Sequence, residues 1–273
     1  MNGASSKQFV QVNGLKLGYL AGGQEGEAVV FLHGWPTSSH LWRHQVPALA
    51  ERFRAYAPDL PGYGDSDKPA NAPYTLDYYA GVLSGFLDAL GIEQVTLACH
   101  DIGGPIALLW AVRHPGRLAR LVIMDTTPYP DLPLMLRLLL PVARLPGVGR
   151  ALVSRRGLRL LFQIGTHGKG VVTDELLTAY DGPYENPADR KTLLRILTSL
   201  DVQEMVEIAD NLGRITAPTL ILWAENDPSA PLAIARRLQA DVAGSVLKTI
   251  PNCGHFLTKD RPDEVNRLLL EFL

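Results

Sequence analysis

The chain carries two hydrophobic rhythms. Short, continuous apolar runs such as "AVVFLH" (28–33), "QVTLACH" (94–100) and "LARLVIMD" (118–125) have the character of parallel strands buried on both faces. Helical patterns lie between them: "HLWRHQVPALAERF", "YTLDYYAGVLSGFLDALG" and "GPIALLWAVRHP". At the start, "QFVQV" and "LKLGYLA" predict two strands joined at Asn13-Gly14, a hairpin turn pair, and "RAYAPD" predicts a further strand. Strands alternating with helices predict an α/β domain: a mostly parallel, twisted sheet of about eight strands with helices on both faces.

The rhythm breaks after Asp125. Residues 127–212 show helical patterns and no buried-strand run. The strand rhythm resumes at "APTLILWAEND", followed by helix "APLAIARRLQA", strand "SVLKTI" and a final helix "RPDEVNRLLLEFL". The predicted organisation is one core domain, 1–126 and 213–273, interrupted by a helical cap (lid) at 127–212. No internal repeat or low-complexity linker interrupts it.

Charge changes this picture in one place. The net charge is −2, so no overall field recruits nucleic acid. Yet Leu134 to Val172 contains seven basic residues (Arg137, Arg144, Arg150, Arg155, Arg156, Arg159 and Lys169) and no acidic one. Two readings stand: a solvated amphipathic face, or attraction to an anionic substrate or membrane surface. The apolar cluster "LPLMLRLLLPVARLPGVG" is broken by Arg and Pro, and is too short to span a bilayer. Two cysteines make no disulfide framework, and the N-terminal residues show no secretory signal, so a cytoplasmic protein, monomer or homodimer, is expected. The seven histidines show no metal-ligand spacing, and neither metal nor organic cofactor is expected.

Candidate chemistry sits at strand ends. In "LACHDIGGPIALLWAVRHP" a strand turns sharply into a helix, with Asp101 at the corner. A side chain there is pushed toward the cleft at the strands' C-terminal ends, and the helix N-terminus stabilises its charge. The competing reading is a plain helix cap. "FLHGWPTSSHLWR" supplies a loop whose Trp35 backbone N–H, with that of Ile102, suits an oxyanion. Trp35-Pro36 is a candidate cis peptide. "LWAENDPSAP" ends a strand at Asp227, and "IPNCGHFLTKDRPDEV" presents His255 after the next strand. Nucleophile, acid and base thus follow in the order Asp101, Asp227, His255. Asp125, at the end of the sixth strand, is the alternative acid.

On these residues the chain resembles the α/β-hydrolase superfamily over nearly its whole length. "HGWPTSSHLWR", "PDLPGYGDSDKP", "CHDIGG" and "GHFLTKDRPDEV" look like the branch with an aspartate nucleophile, comprising epoxide hydrolases, haloalkane dehalogenases and fluoroacetate dehalogenases. Cys99 departs from the pattern, which has glycine two residues before the nucleophile. The resemblance implies displacement at a saturated carbon by ionised Asp101 to form an ester. Water activated by His255 then hydrolyses that ester, the oxyanion held by Trp35 and Ile102, with Asp227 orienting His255. A haloalkane dehalogenase has Trp after the nucleophile, where this chain has Ile102, leaving the Trp35 indole as the remaining halide donor. The arginines of fluoroacetate dehalogenases are absent from "IGGPIALLW". Hydrolysis of an apolar or aromatic epoxide is the leading expectation. The resemblance places ring-opening donors in the insertion, where Tyr129, Tyr180, Tyr184 and His167 stand, and "LLRILTSL" has none. An alkyl-halide hydrolase, an esterase or lactonase, and a ligand-binding homologue without turnover are the alternatives.

Overall fold

The computed structural model describes residues 5–145, 147–167 and 172–273. Its centre is an eight-stranded sheet: β1 (Ser6–Val12), β2 (Leu15–Gly22), β3 (Ala28–Leu32), β4 (Arg54–Pro58), β5 (Val95–His100), β6 (Leu118–Met124), β7 (Thr219–Ala224) and β8 (Val246–Ile250). The order is β1-β2-β4-β3-β5-β6-β7-β8. β1 and β2 form an antiparallel hairpin turned by Asn13 and Gly14 at φ 52° and 81°. β2 meets β4 antiparallel, and every later pairing is parallel. Every residue of β3, β5 and β7 is buried, as their uninterrupted apolar runs require.

Helices α1 (Gln45–Leu49), α2 (Leu76–Ala89) and α3 (Gly103–Arg113) connect the strands before β6. The long pattern beginning at His40 is shorter than its sequence suggests. It splits into a 3₁₀ turn, Ser39–Trp42, and α1. Between β6 and β7 the described residues form α4 (Leu134–Ala143), α5 (Val148–Leu152), α6 (Arg155–Gly165), α7 (Asp174–Asp181), α8 (Pro187–Thr198) and α9 (Glu204–Asn211), with no strand. α9 leans back on the sheet's own helices: the Glu204 carboxylate accepts the Leu76 and Asp77 N–H groups at the start of α2, and Arg113 bridges Asp77 and Glu207. α10 (Leu232–Asp241), α11 (Leu257–Asp260) and α12 (Pro262–Phe272) complete the chain. Among the described residues no helix is long and apolar enough to cross a membrane.

Register decides where chemistry can collect. Leu32 aligns with Cys99, His100 with Met124, Met124 with Leu222, and Ala224 with Ile250. The loops leaving β3, β5, β6, β7 and β8 therefore start at one level, and residues far apart in sequence meet above it.

The β5–α3 corner is tight. Gly103 passes Leu32 so closely that a Cβ would stand 2.5 Å from its carbonyl oxygen. At Gly104 a Cβ would lie 2.0 Å from Thr126 Oγ1, a hydroxyl already donating to the Asp101 carbonyl at 2.6 Å. Gly104→Ala should therefore lower stability by about 1–3 kcal/mol, the cost of overpacking. A thermal melt reads this as a fall in Tm; an unchanged Tm would show that α3 seats without needing this contact.

Candidate active site

Asp101 occupies the corner itself, at φ 52°. A non-glycine residue pays strain of about 1–3 kcal/mol there and persists only where its surroundings fix it. They do. The Asp101 N–H donates to the Asp125 carbonyl (3.2 Å), and the Asp101 carbonyl accepts from Gly104 N–H (2.9 Å) and from Thr126. The side chain is thereby lifted out of the sheet. The Trp35 N–H donates to its Oδ1 at 2.7 Å. Gly34 permits that approach, since a Cβ there would sit 2.3 Å from the same oxygen.

The loop bearing Trp35 is anchored from several sides. His33 Nδ1–H donates to the Gly34 carbonyl (3.0 Å) while its Nε2 accepts the Leu60 N–H (3.0 Å). Burial lowers the His33 pKa and keeps this neutral form. The buried Asp59 carboxylate accepts the N–H groups of Ser39 (2.7 Å) and Asp65 (2.9 Å) and pairs with Lys7. Burial would raise the Asp59 pKa, but Lys7 and His33 bring it below the ordinary carboxylate value. The Trp35-Pro36 peptide is cis.

His255 stands between two carboxylates. Its Nδ1 is 2.7 Å from Asp227 Oδ2, and its Nε2 is 3.5 Å from Asp101 Oδ2. Burial alone would lower its pKa, yet Asp227 and Asp101 together raise it well above the ordinary histidine value. The same pairing works in reverse on the acids: burial would raise Asp101 and Asp227, and His255 holds both below the usual range. The Ile102 N–H adds to the stabilisation of the Asp101 anion. The resting arrangement is an imidazolium flanked by two anions.

Two residues absent from the sequence-based set complete this group. Ser229 donates its N–H and its hydroxyl to Asp227 Oδ1, both at 2.7 Å, and its Oγ lies 3.0 Å from His255 Nδ1. His100 donates from Nε2 to the His255 carbonyl (2.7 Å), and burial lowers its pKa to about 4, keeping it neutral. The "NDPS" spacing, placing a hydroxyl two residues after the acid, is the signal that points to Ser229. Nothing in the sequence points to His100 rather than any other strand-end histidine.

The alternative acid lies elsewhere in the network. Asp125 Oδ1 accepts the Ala224 N–H (2.9 Å), and Oδ2 is buried without a partner. Burial, then the Asp227 charge, pushes its pKa far up, so Asp125 is a neutral acid bridging β6 to β7. It makes no hydrogen bond to His255.

Asp101 opens into a cavity walled by Ile102, Pro105, Leu139, Leu140, Leu197 and Met205, with Trp35, Leu136 and Leu200 beside them. Two expectations change here. The Trp35 indole N–H does not reach the cavity; it donates to the Leu193 carbonyl at 2.9 Å. The four ring-opening candidates are not on the wall either. The Tyr129 hydroxyl donates to Asp241 (2.7 Å), and the Tyr184 hydroxyl donates to the Gly62 carbonyl (3.1 Å). Tyr180 is buried between Phe162 and His40. His167 is exposed, its backbone N–H on Asp260. Leucines from α4 and α8 occupy the wall instead. The polar side chain sequence reasoning missed is Thr127, whose Oγ1 is buried on the cavity wall without a hydrogen-bond partner. Its signal was a hydroxyl two residues past a strand-end aspartate, "MDTT". Among the described residues no group of His, Cys, Asp and Glu side chains is placed to hold a metal ion.

Comparison with known proteins agrees with this geometry. Residues 27–262 match the family model for the alpha/beta hydrolase fold. The chain is 31% identical over 254 residues to haloalkane dehalogenase 2 of Mycobacterium tuberculosis, covering 90% of this chain and 87% of that protein. It is 30% identical over 289 residues to epoxide hydrolase 4 of Mus musculus, covering 97% of this chain and 78% of the mouse protein. A solved haloalkane dehalogenase from Bradyrhizobium elkani superposes with a TM-score of 0.88 at 26% identity, covering 98% of this chain and 97% of the other. The strand order, the strained corner and these relatives lead to one conclusion: the chain belongs to the α/β-hydrolase family and is a hydrolase of the haloalkane dehalogenase and epoxide hydrolase kind.

Proposed function

We propose that the protein hydrolyses apolar epoxides through an ester on Asp101. The observation that carries this reading is the ionised Asp101 carboxylate at the head of an apolar cavity, with Oδ1 on the Trp35 N–H and Oδ2 beside His255. In this reading residues 127–212 act as a cap over a core formed by 1–126 and 213–273.

Asp101 Oδ2 attacks a ring carbon, and the C–O bond of the epoxide breaks. Forming the ester removes the Asp101 charge, one of the two that hold the proton on His255. The imidazolium pKa falls, and the proton it releases through water balances the one the alkoxide takes up. Neutral His255, oriented by Asp227 and Ser229, then deprotonates a water that attacks Asp101 Cγ. The oxyanion on the former Oδ1 is held by the Trp35 and Ile102 N–H groups. His255 returns its proton to the departing diol oxygen, and the Asp101 carboxylic acid then passes its own proton to His255, restoring the carboxylate and the imidazolium.

The choice of epoxide over halide rests on donors. A departing halide is held by N–H groups facing the cavity. Ile102 has no such side-chain group, and the Trp35 indole is committed to Leu193. An alkoxide needs one short hydrogen bond; Thr127 is the wall residue with an uncommitted hydroxyl, and a turn of its side chain would bring that hydroxyl to the departing oxygen. The names of the relatives favour halide chemistry as readily, so the test must separate the two.

His255→Gln removes the base and should trap the ester. Intact mass should rise by the whole mass of a styrene-type epoxide, mapped to Asp101. A gain of only the alkyl group from a bromoalkane, with bromide released, would transfer the case to dehalogenation. No adduct with any substrate that the unmutated enzyme turns over would remove Asp101 as nucleophile.

Thr127→Val should lower kcat/KM for the epoxide by about tenfold, one charge-assisted hydrogen bond. It should leave Tm unchanged or higher, because a buried hydroxyl without a partner is removed. Parallel loss of Tm and activity would mean that Thr127 only supports the fold.

Observed by NMR, the His255 ring should remain protonated well above the ordinary histidine pKa. In Asp101→Asn the loss of one anion should move that titration downward. An unshifted value would show that Asp227 alone governs His255.

A further inference from the structure

We propose that the outer face of α4, α5 and α6 is a docking surface for an anionic lipid bilayer, and that it delivers apolar substrate to the cavity at Asp101. The docking stands on its own observations; the delivery rests on the catalytic reading above.

The face is apolar where solvent should have made it polar. On α4, Leu134, Leu138 and Val142 repeat every fourth residue and form one outward stripe; Leu134 is 68% exposed and Leu138 62%. On α6, Leu160 and Ile164 do the same at 57% and 49%. The two stripes border a shared groove, with Val148 and Leu152 of α5 at one end of it. Contiguous exposed apolar area of this kind marks an interaction site rather than ordinary surface.

Charge selects the partner. The described residues from Leu134 to His167 contain six arginines and no carboxylate. Arg155 and Arg159 are paired with Asp174 and Asp181 from the neighbouring α7. Arg137, Arg150 and Arg156 are exposed and have no carboxylate within salt-bridge distance among the described residues. Arg137 stands beside Leu138 on α4 and Arg156 borders the groove itself, whereas Arg150 lines a separate hollow with Arg144, Lys191 and Arg195. A second copy docking through the same face would set arginine against arginine. An apolar face flanked by cations fits the boundary between anionic headgroups and acyl chains.

The connection to the interior favours a bilayer over an acidic protein. Leu139 borders both the outer groove and the cavity that holds Asp101. Leu139 therefore stands between the outer groove and the cavity. An acidic protein partner would make no use of that junction, whereas a substrate dissolved in acyl chains would.

The test is co-sedimentation of the full chain with phosphatidylcholine vesicles, with and without about 30 mol% phosphatidylglycerol. Binding is expected to the anionic vesicles, to weaken with added salt, and to be slight with phosphatidylcholine alone. Removing the two flanking cations in R137Q/R156Q should lower partitioning about thirtyfold. L138S/L160S/I164S should lower it as well, and both variants should keep the unmutated Tm. If the apolar variant fails to fold, the arginine variant carries the test alone. Equal binding to both vesicle types, no binding to either, or a stable homodimer that only L138S/L160S/I164S dissociates would overturn the proposal.

Discussion

A cationic imidazole held between two carboxylates is the arrangement on which the top of this sheet depends. His255, Asp101 and Asp227 are each disfavoured as ions by burial; the two carboxylates keep His255 charged, and His255 keeps each of them charged. Removing one partner leaves an uncompensated charge in a poorly solvated site, which costs far more than the pair contributes. The supporting contacts follow from that constraint. Trp35 N–H and Ser229 satisfy the outer carboxylate oxygens, His100 fixes the backbone of His255, and Asp59 with Lys7 fixes the loop that carries Trp35. A fourth charge cannot be accommodated, and Asp125 accordingly stays protonated as a bridge between strands.

The apolar cavity and the ionic group complete one another. The Asp101 carboxylate has polar partners on one side, Trp35 N–H and His255, and an apolar wall of leucine and methionine on the other, so few groups besides these two compete for its charge. The same wall carries one hydroxyl without a hydrogen-bond partner, that of Thr127. The end of α6 also touches the loop of His255. A Cβ at Gly165, the end of α6, would lie 2.6 Å from the Phe256 ring, and the Phe162 and Phe256 rings are 5.0 Å apart. Asp260 accepts both the His167 and Gly254 N–H groups, tying the end of α6 to the loop of His255. Whatever seats α6 also seats the loop of the base.

Legibility in the sequence followed the range of the interaction. Strand and helix order was readable because continuous apolar runs and helical periodicity are local signals. The group Asp101, Asp227 and His255 was readable because strand ends in a parallel sheet share one level, so linear order implies proximity. The direction of a side chain was not. Trp35 has its backbone N–H on Asp101 and its indole on Leu193, 158 residues away in the chain, and only the folded helices decide that split. Tyr129 and Tyr184 looked available because helical patterning does not reveal hydroxyls already committed to Asp241 and Gly62. Lys169, one of the basic residues noted between Leu134 and Val172, lies outside the described residues.

α4 shows how the interior and the outer surface impose one sequence. Leu136, Leu139 and Leu140 face the cavity, while Leu134, Leu138 and Val142 face outward, so the helix is apolar nearly all round. A helix of that composition is stable when both faces leave water. The fold buries only one. The exposed face would drive self-association, yet Arg137 and Arg156 flank it with like charge, which opposes pairing of two copies. The outer face of α4 is thus the part of the helix least satisfied in water, and the proposed anionic bilayer would bury it while neutralising those arginines.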